Sequence, residues 1–305
     1  MKIIFFGSPD FAIPSLKLIA EREAVIAVVT SPPKPTGRGL KEQKTPIHVL
    51  AEAQGFSVLT PTTPNTPEFA AQLAALKPDL YVVVSYGFIL AADLLRIPAY
   101  GGVNLHPSLL PKYRGAAPMQ WTLIRGETIT GVTIIHMNEK MDAGNIILQK
   151  EFPVLPDDTY DRLSRRLAEA GAQVLFEAVQ SVKLQTYQVI VQDPSRVTKA
   201  PKIKKDDCRI NWAQPTQTVY DFIRGLSSDP AARTNLRGQE MKILGVEKSV
   251  ESVPTGTIRA YGKKLLVGTA DGSISILRIQ PPNKKSQSGI DFINGFRPKN
   301  GEAAH

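Results

Sequence analysis

The sequence has little of what defines several common protein classes. Its 305 residues include a single cysteine, Cys208, which excludes an intrachain disulfide framework. With only four histidines besides, the composition argues against a structural zinc site, and we expect no metal. No apolar run reaches the roughly 18–20 residues that a membrane helix requires, and the N-terminus turns polar too soon for a signal peptide. We therefore expect a cytoplasmic protein without membrane contact.

Several catalytic and nucleotide-binding motifs are missing as well. The first apolar segment leads into Gly7-Ser-Pro-Asp rather than G-x-G-x-x-G, which gives a dinucleotide site little support. The sequence also contains no P-loop, no G-x-S-x-G elbow and no H-E-x-x-H. The chemistry must therefore be found in another pattern.

Positive charge is abundant and unevenly distributed. Residues 1–183 hold 18 Lys+Arg and 17 Asp+Glu, whereas residues 184–305 hold 19 and 11, so most of the net charge of +9 lies in the second part. Such an asymmetry suggests that residues 184–305 bind a polyanion. A solvated linker that keeps the protein soluble is the alternative interpretation of its densest cluster. That cluster comprises Arg196, Lys199, Lys202, Lys204, Lys205 and Arg209.

The first part of the chain alternates apolar strands with helical segments. This alternation predicts an α/β fold, a doubly wound, mostly parallel sheet whose ligands lie beyond the carboxyl ends of the strands. Residues 31–44 are predicted to form a polar loop. The predicted strands are Lys2–Phe6, Ala24–Thr30, Phe56–Leu59, Leu80–Ser85 and the segment that starts at Gly131.

The sequence pattern changes after the helix predicted over Leu163–Val182. Short strand-like pieces separated by glycine turns predict a small β-barrel. The domain organisation expected is a catalytic domain over residues 1–184, a basic linker over 185–208 and a β domain over 209–305.

The best candidate for a reaction centre is a strand end that carries Asn104 and His106. Alternate residues of a strand project to the same side, and this pair combines an amide donor with a side chain suited to proton transfer. Asp142, on a turn after the next strand, can add a carboxylate at the same edge of the sheet, with Glu139 as the alternative. The three suit attack of a nucleophile on a carbonyl carbon. In the structural alternative, all three only cap a strand end and a turn.

The stretch Asn104-Leu-His-Pro-Ser-Leu-Leu-Pro-Lys-Tyr-Arg-Gly-Ala-Ala-Pro, followed by Met-Asp142-Ala-Gly-Asn, resembles the folate-dependent formyltransferases. The likeness covers nearly the whole chain and includes the opening Ile-Ile-Phe-Phe-Gly-Ser-Pro-Asp. It implies a Rossmann-like formyltransferase domain followed by an OB-like barrel. The implied co-substrate is 10-formyltetrahydrofolate, and the implied acceptor is the α-amine of initiator methionyl-tRNA, used in translation initiation. We expect a monomer.

The resemblance also assigns residues to roles. Its catalytic trio falls on Asn104, His106 and Asp142. The implied folate-contacting residues are Ser108, Leu109, Leu110 and Pro111, with a pterin slot along Tyr86, Gly87, Phe88, Ile89 and Asn138. Arg38 matches a residue that probes the tRNA acceptor stem, and the basic residues expected to join it on tRNA are Lys34, Lys41, Lys202, Lys204 and Lys205.

Two rival interpretations remain open. One is a formyltransferase for a small amine, such as a purine precursor or an amino sugar, against which the basic residues 184–305 argue. The other is an RNA-binding protein that kept the fold without the activity, against which the intact trio argues.

Overall fold

The chain folds into two compact units. The computed structural model describes residues 1–36 and 41–305. The second unit takes in two short segments that precede residue 164, which the sequence pattern does not indicate. The first unit comprises Met1–Gly115, Thr130–Pro153 and Ser164–Lys199, and the second comprises Ala116–Ile129, Val154–Leu163 and Ala200–His305.

Up to residue 184 strands mostly alternate with helices, as the apolar pattern predicts, except where β2 is followed by β3 and β4 and where β8 is followed by β9. Among the helices of the described residues, none is long and apolar enough to cross a membrane. The elements are β1 (Lys2–Gly7), α1 (Ile13–Arg22), β2 (Ala24–Val29), β3 (Lys34–Thr36), β4 (Lys41–Gln43), α2 (Pro46–Ala53), β5 (Val58–Leu59), α3 (Pro67–Ala75), β6 (Leu80–Val84), α4 (Ala92–Leu95), β7 (Gly102–His106), α5 (Pro118–Ile124), β8 (Ile129–His136), β9 (Ile146–Pro153) and α6 (Tyr160–Leu184).

The first unit is built on a seven-stranded sheet in the order β5-β2-β1-β6-β7-β8-β9. The pairs from β5 to β7 are parallel, and β8 runs antiparallel to β7. Every residue of β6 is buried, as expected for a strand covered on both faces. This arrangement confirms the predicted α/β fold, and it brings the carboxyl ends of β1, β6 and β7 to one edge.

Part of the predicted loop over residues 31–44 is instead a hairpin. Strands β3 and β4 pair antiparallel, with Lys34 opposite Gln43. The prediction of a loop was wrong for these residues. Their glycine and proline content indicates turns, whereas the pairing of two short strands has little signature in the local sequence. Arg38 lies outside the described residues.

The second unit contains an antiparallel sheet in the order β10-β11-β14-β13-β12, and β15 pairs with β14. Buried Trp212 donates its indole N–H to Thr234 Oγ1 at 2.9 Å inside its core. This sheet confirms the smaller β domain predicted from the sequence. Its elements are α7 (Thr216–Leu226), β10 (Ala232–Leu236), β11 (Gln239–Ser249), β12 (Ile258–Tyr261), β13 (Lys264–Gly268), β14 (Ser273–Gln280), β15 (Gln287–Ser288) and α8 (Gly289–Phe296).

Glu23, just after α1, makes the first unit sensitive to acid. Burial raises the pKa of this carboxyl, but hydrogen bonds from Lys183 Nζ, the Met1 amine and Gln180 Nε2 outweigh burial and lower the pKa from 4.5 to about 2. The unfolded chain therefore binds the proton first as pH falls. We expect the free energy of unfolding to fall by about 3 kcal/mol between pH 4.5 and 2 through this group alone. Urea unfolding of Glu23→Gln should show a flatter pH dependence, and exposed Glu21→Gln should behave as wild type.

A buried ion pair lies in the second unit. Arg224 Nε donates to Asp221 Oδ1 at 2.6 Å, and both side chains are less than 10% exposed. The Arg224 guanidinium also donates to the Leu155 and Asp158 carbonyls, at 3.2 and 3.1 Å. Losing the cation would leave the carboxylate buried without its charged partner.

We expect Arg224→Leu to lower the free energy of unfolding by about 3–5 kcal/mol, because an uncompensated buried charge costs that much. The matched control is Arg96→Leu, since Arg96 and Asp93 form the same i,i+3 pair in full exposure and should lose at most about 1 kcal/mol. Urea unfolding curves compare the two variants, and similar losses in both would contradict the prediction.

Candidate active site

The site centres on His106 at the carboxyl end of β7. Its imidazole is buried, with Nε2 2.9 Å from the Tyr113 carbonyl oxygen and Nδ1 3.5 Å from Asp142 Oδ1. A carbonyl oxygen only accepts hydrogen bonds, so Nε2 carries a hydrogen. The ring therefore turns Nδ1 toward the carboxylate.

Asp142 reaches this imidazole from the turn between β8 and β9. Its backbone adopts a left-handed conformation with φ of 51°, and Oδ2 accepts a hydrogen bond from the Gly115 N–H at 2.8 Å. The other carboxylate oxygen faces His106. Glu139, the alternative carboxylate, is exposed on the same turn, where Asn138 Oδ1 accepts from the Lys140 N–H at 3.0 Å. The structure thus pairs His106 with Asp142.

Asn104 lies two residues before His106 on β7, on the same side of the strand. It is half-buried, and among the described residues its side chain has no hydrogen-bond partner. Its amide is therefore available to a ligand at the carboxyl edge of the sheet.

Two side chains of the sheet, Thr133 and Gln149, form hydrogen bonds with the main chain of the loop Ser108–Pro111. Thr133 Oγ1 donates to the Ser108 carbonyl at 2.6 Å and accepts from the Leu110 N–H, while Gln149 Nε2 donates to the Leu110 carbonyl at 2.9 Å. The Ser108 hydroxyl is fully buried and donates to the Lys112 carbonyl. Leu110 and Pro111 are buried and Leu109 is half-buried. The loop is therefore held by hydrogen bonds to its main chain, and its serine hydroxyl is used internally.

The segment Tyr86–Ile89 divides into a buried and an exposed part. The Tyr86 ring packs edge-on against Phe6, and burial raises the pKa of its phenol. Phe88 and Ile89 are 36% and 53% exposed, and Gly87 turns the chain with φ of 90°. Asn65 fixes the segment by bonding the Ile89 carbonyl and the Ala91 N–H, each at 2.9 Å. An exposed apolar surface thus follows the end of β6.

The predicted tRNA-contacting lysines divide between the units. Lys34 is exposed at the start of β3; Lys41 begins β4, and its side chain lies outside the described residues. In the second unit, Lys202 and Lys204 are exposed, and Lys205 Nζ lies 3.2 Å from Glu240 Oε1. Because the Glu240 carboxylate partly neutralises Lys205, its positive charge is less available to a ligand than the charges of Lys202 and Lys204.

Sequence reasoning missed the residues that hold the site in place. Gln192, Thr133, Gln149 and Asn65 bond main-chain atoms of the candidate loops from distant positions. No motif marks them, because their role depends on contacts across tens of residues. Within residues 1–36 and 41–305, no group of three or more His, Cys, Asp or Glu side chains is arranged to hold a metal ion.

Comparison with known families defines the class. Residues 1–179 match the formyl transferase model, and residues 202–297 match the model of the formyl transferase C-terminal domain. Solved structures share the fold. HypX from Aquifex aeolicus in complex with tetrahydrofolic acid aligns with a TM-score of 0.68 at 20% identity, over 97% of this chain and 47% of HypX. The sugar 3N-formyl transferase WlaRD, in the presence of dTDP and 5-N-formyl-THF, aligns with a TM-score of 0.67 at 18% identity, over 93% and 99% of the two chains. The match over residues 1–179 identifies the chain as a formyl transferase.

Relatives that align over nearly their whole length identify the family more specifically. The methionyl-tRNA formyltransferase of Geobacter metallireducens is 41% identical over 97% of this chain and 96% of the relative. That of Thermodesulfovibrio yellowstonii is 40% identical over 98% and 97%. The chain belongs to the methionyl-tRNA formyltransferase family.

Proposed function

We propose that this protein transfers the formyl group of 10-formyltetrahydrofolate to the α-amine of methionine on initiator tRNA, giving N-formylmethionyl-tRNA. The observation that carries the proposal is identity of about 40% to methionyl-tRNA formyltransferases along nearly the whole chain, C-terminal domain included. Because initiator tRNA is used in the cytoplasm, we place the enzyme there.

His106, Asn104 and Asp142 are proposed to carry the chemistry. The amine attacks the formyl carbon, a C–N bond forms, and negative charge develops on the formyl oxygen. The free Asn104 amide and a protonated His106 Nδ1 can donate to that oxygen. The 3.5 Å gap between Nδ1 and Asp142 Oδ1 is longer than an ordinary hydrogen bond, so an N–H there can reach a third atom.

Asp142 is proposed to receive the proton that the amine loses, directly or through water. The bond from the formyl carbon to N10 of the folate then breaks, and N10 takes up the proton that Asp142 received, directly or through water. No covalent enzyme intermediate is needed, and much of the rate comes from holding amine and formyl carbon together.

The folate is proposed to lie between two main-chain segments of the first unit. Phe88 and Ile89 offer exposed apolar surface. The carbonyl groups of the loop Ser108–Pro111 already accept internal hydrogen bonds, and each carbonyl oxygen keeps a second lone pair for a ligand. A pterin has amide-like edges that such groups can read in an apolar slot. HypX was solved in complex with tetrahydrofolic acid and WlaRD in the presence of 5-N-formyl-THF, which are ligands of the same class.

The tRNA is proposed to contact basic residues through its phosphates. Residues 184–305 carry 19 Lys+Arg against 11 Asp+Glu, and exposed Lys202 and Lys204 offer unpaired charge among the described residues. Phosphate contacts of this kind give affinity and salt dependence rather than sequence reading. Lys34, Arg38, Lys41 and Lys205 complete the proposed set.

A formylation assay tests the function. Purified protein with 10-formyltetrahydrofolate should formylate initiator methionyl-tRNA faster than elongator methionyl-tRNA, and should leave an amino sugar nucleotide and a purine-precursor amine unchanged. Raising the salt concentration should raise the KM for tRNA steeply and the KM for the folate little. Transfer to a small amine but not to tRNA would overturn the proposal.

A further inference from the structure

The tripeptide Tyr113-Arg114-Gly115 touches both members of the His106–Asp142 pair with its main chain. The Tyr113 carbonyl accepts from His106 Nε2 at 2.9 Å, and the Gly115 N–H donates to Asp142 Oδ2 at 2.8 Å. Tyr113 and Gly115 both have positive φ, 62° and 132°. This backbone turns one carbonyl toward the imidazole and one N–H toward the carboxylate.

The side chain of Arg114, between these two residues, continues the network to Gln192. Its Nε and Nη2 donate to Gln192 Oε1 at 3.0 and 2.7 Å. Thr198 supports the same tripeptide, because its hydroxyl accepts from the Tyr113 N–H and its carbonyl from the Arg114 N–H. The segment that contains Gln192 and Thr198 therefore braces the tripeptide.

Gln192 closes the network onto the Asp142 turn. Its Nε2 donates to the carbonyls of Asp142 and Gly144, at 2.9 and 2.7 Å. The side chain is 6% exposed, and both amide hydrogens and the amide oxygen are used. This fixes the orientation of the amide, because a flipped amide would set its NH₂ against the Arg114 guanidinium.

The contact with Gln192 matters because Asp142 holds a conformation that a non-glycine residue seldom adopts, with φ of 51°. Such a backbone persists only when its surroundings determine it. The two carbonyls that Gln192 binds, those of Asp142 and Gly144, lie on this turn. Without the hydrogen bonds from Gln192, the turn would lose one of the two contacts that set the distance of the carboxylate from His106. The other contact is the hydrogen bond from the Gly115 N–H to Asp142 Oδ2.

We propose that Gln192, oriented by Arg114, is a positioning residue that sets the Asp142 carboxylate against His106 Nδ1 for formyl transfer. The inference rests on the proposed function. It predicts a defect in turnover rather than in binding, since Gln192 touches neither proposed substrate site.

The test variant is Gln192→Glu, which keeps the shape and the contact with Arg114 but turns a carboxylate oxygen toward two carbonyl oxygens. We expect kcat to fall by about 10²-fold, the cost of a small displacement of a reacting group, while the KM for folate and for tRNA changes less than about threefold. In an Asp142→Asn background, the same substitution should cost less than about threefold, because coupled residues are not additive.

Three controls separate the outcomes. Gln72→Glu, on the exposed face of α3, adds the same charge and should match wild type. Gln149→Glu, beneath the loop Ser108–Pro111, should instead raise the KM for folate. If Gln192→Glu does not fold, Arg114→Lys, which loses the two-pronged contact with Gln192, should lower kcat by about 3- to 10-fold.

The possible results distinguish a failure of the positioning role from a failure of the proposed function. A folded Gln192→Glu enzyme with kcat within threefold of wild type would overturn the positioning role alone. So would an unchanged kcat in Arg114→Lys, or a loss in Gln192→Glu that persists undiminished beside Asp142→Asn. A wild-type protein that formylates no methionyl-tRNA would overturn the proposed function itself.

Discussion

Asp142→Asn is expected to lower kcat for formyl transfer by about 10²–10⁴-fold, the usual contribution of a general base. Asparagine has nearly the shape of aspartate, and its amide oxygen can still accept from the Gly115 N–H that now binds Oδ2. What disappears is the negative charge beside His106 Nδ1 and the oxygen that would receive the amine proton. His106→Ala should cost as much, because it removes the donor proposed to face the formyl oxygen.

Binding measurements distinguish this chemical defect from a structural one. The affinity of both variants for initiator tRNA should equal that of wild type, because neither side chain is among the basic residues proposed to hold the phosphates. Asp93→Asn, a change of the same type at a side chain 88% exposed, serves as control and should leave kcat unchanged. Wild-type turnover in either His106→Ala or Asp142→Asn would remove the proposed mechanism.

Gly144→Ala is expected to disable the enzyme through the same turn. A Cβ at this position would lie 1.6 Å from the His136 carbonyl oxygen, so the chain from Asp142 to Gly144 would have to move. We expect a loss of about 10²-fold or more in kcat from the displaced carboxylate and a loss of about 1–3 kcal/mol in the free energy of unfolding from overpacking.

The control for Gly144→Ala is Gly295→Ala in α8, where an added Cβ has no neighbour within 4 Å. Thermal unfolding and single-turnover formylation, measured on both variants, give stability and chemistry separately. A Gly144→Ala enzyme with the melting temperature and kcat of wild type would show that the turn tolerates the displacement.

The parts of the fold that sequence predicted well have a strong local period. The fully apolar strand β6 and the alternation of β1, β2 and β5 with helices follow from residues close in the chain. The sequence did not predict the edge strand β9 or the hairpin β3–β4, because short or amphipathic strands are stabilised by their partners rather than by their own composition.

The candidate site shows the same division. Asn104-x-His106 was readable because alternation along one strand places both side chains together, and Asp142 stood out as a carboxylate on a turn. The inward bond of the Ser108 hydroxyl, the burial of Tyr86 and the bracing by Gln192 were not readable. Each depends on a partner that the sequence does not place.

The sequence by itself determined which chemical groups are present: an amide, an imidazole and a carboxylate near strand ends, and an excess of positive charge in residues 184–305. Only the tertiary structure decided how they face one another, with Nδ1 of His106 turned to Asp142 and the turn held by Gln192. Side-chain type is a local property, whereas the distance between two reacting atoms is set by packing and hydrogen bonds between segments far apart in the chain.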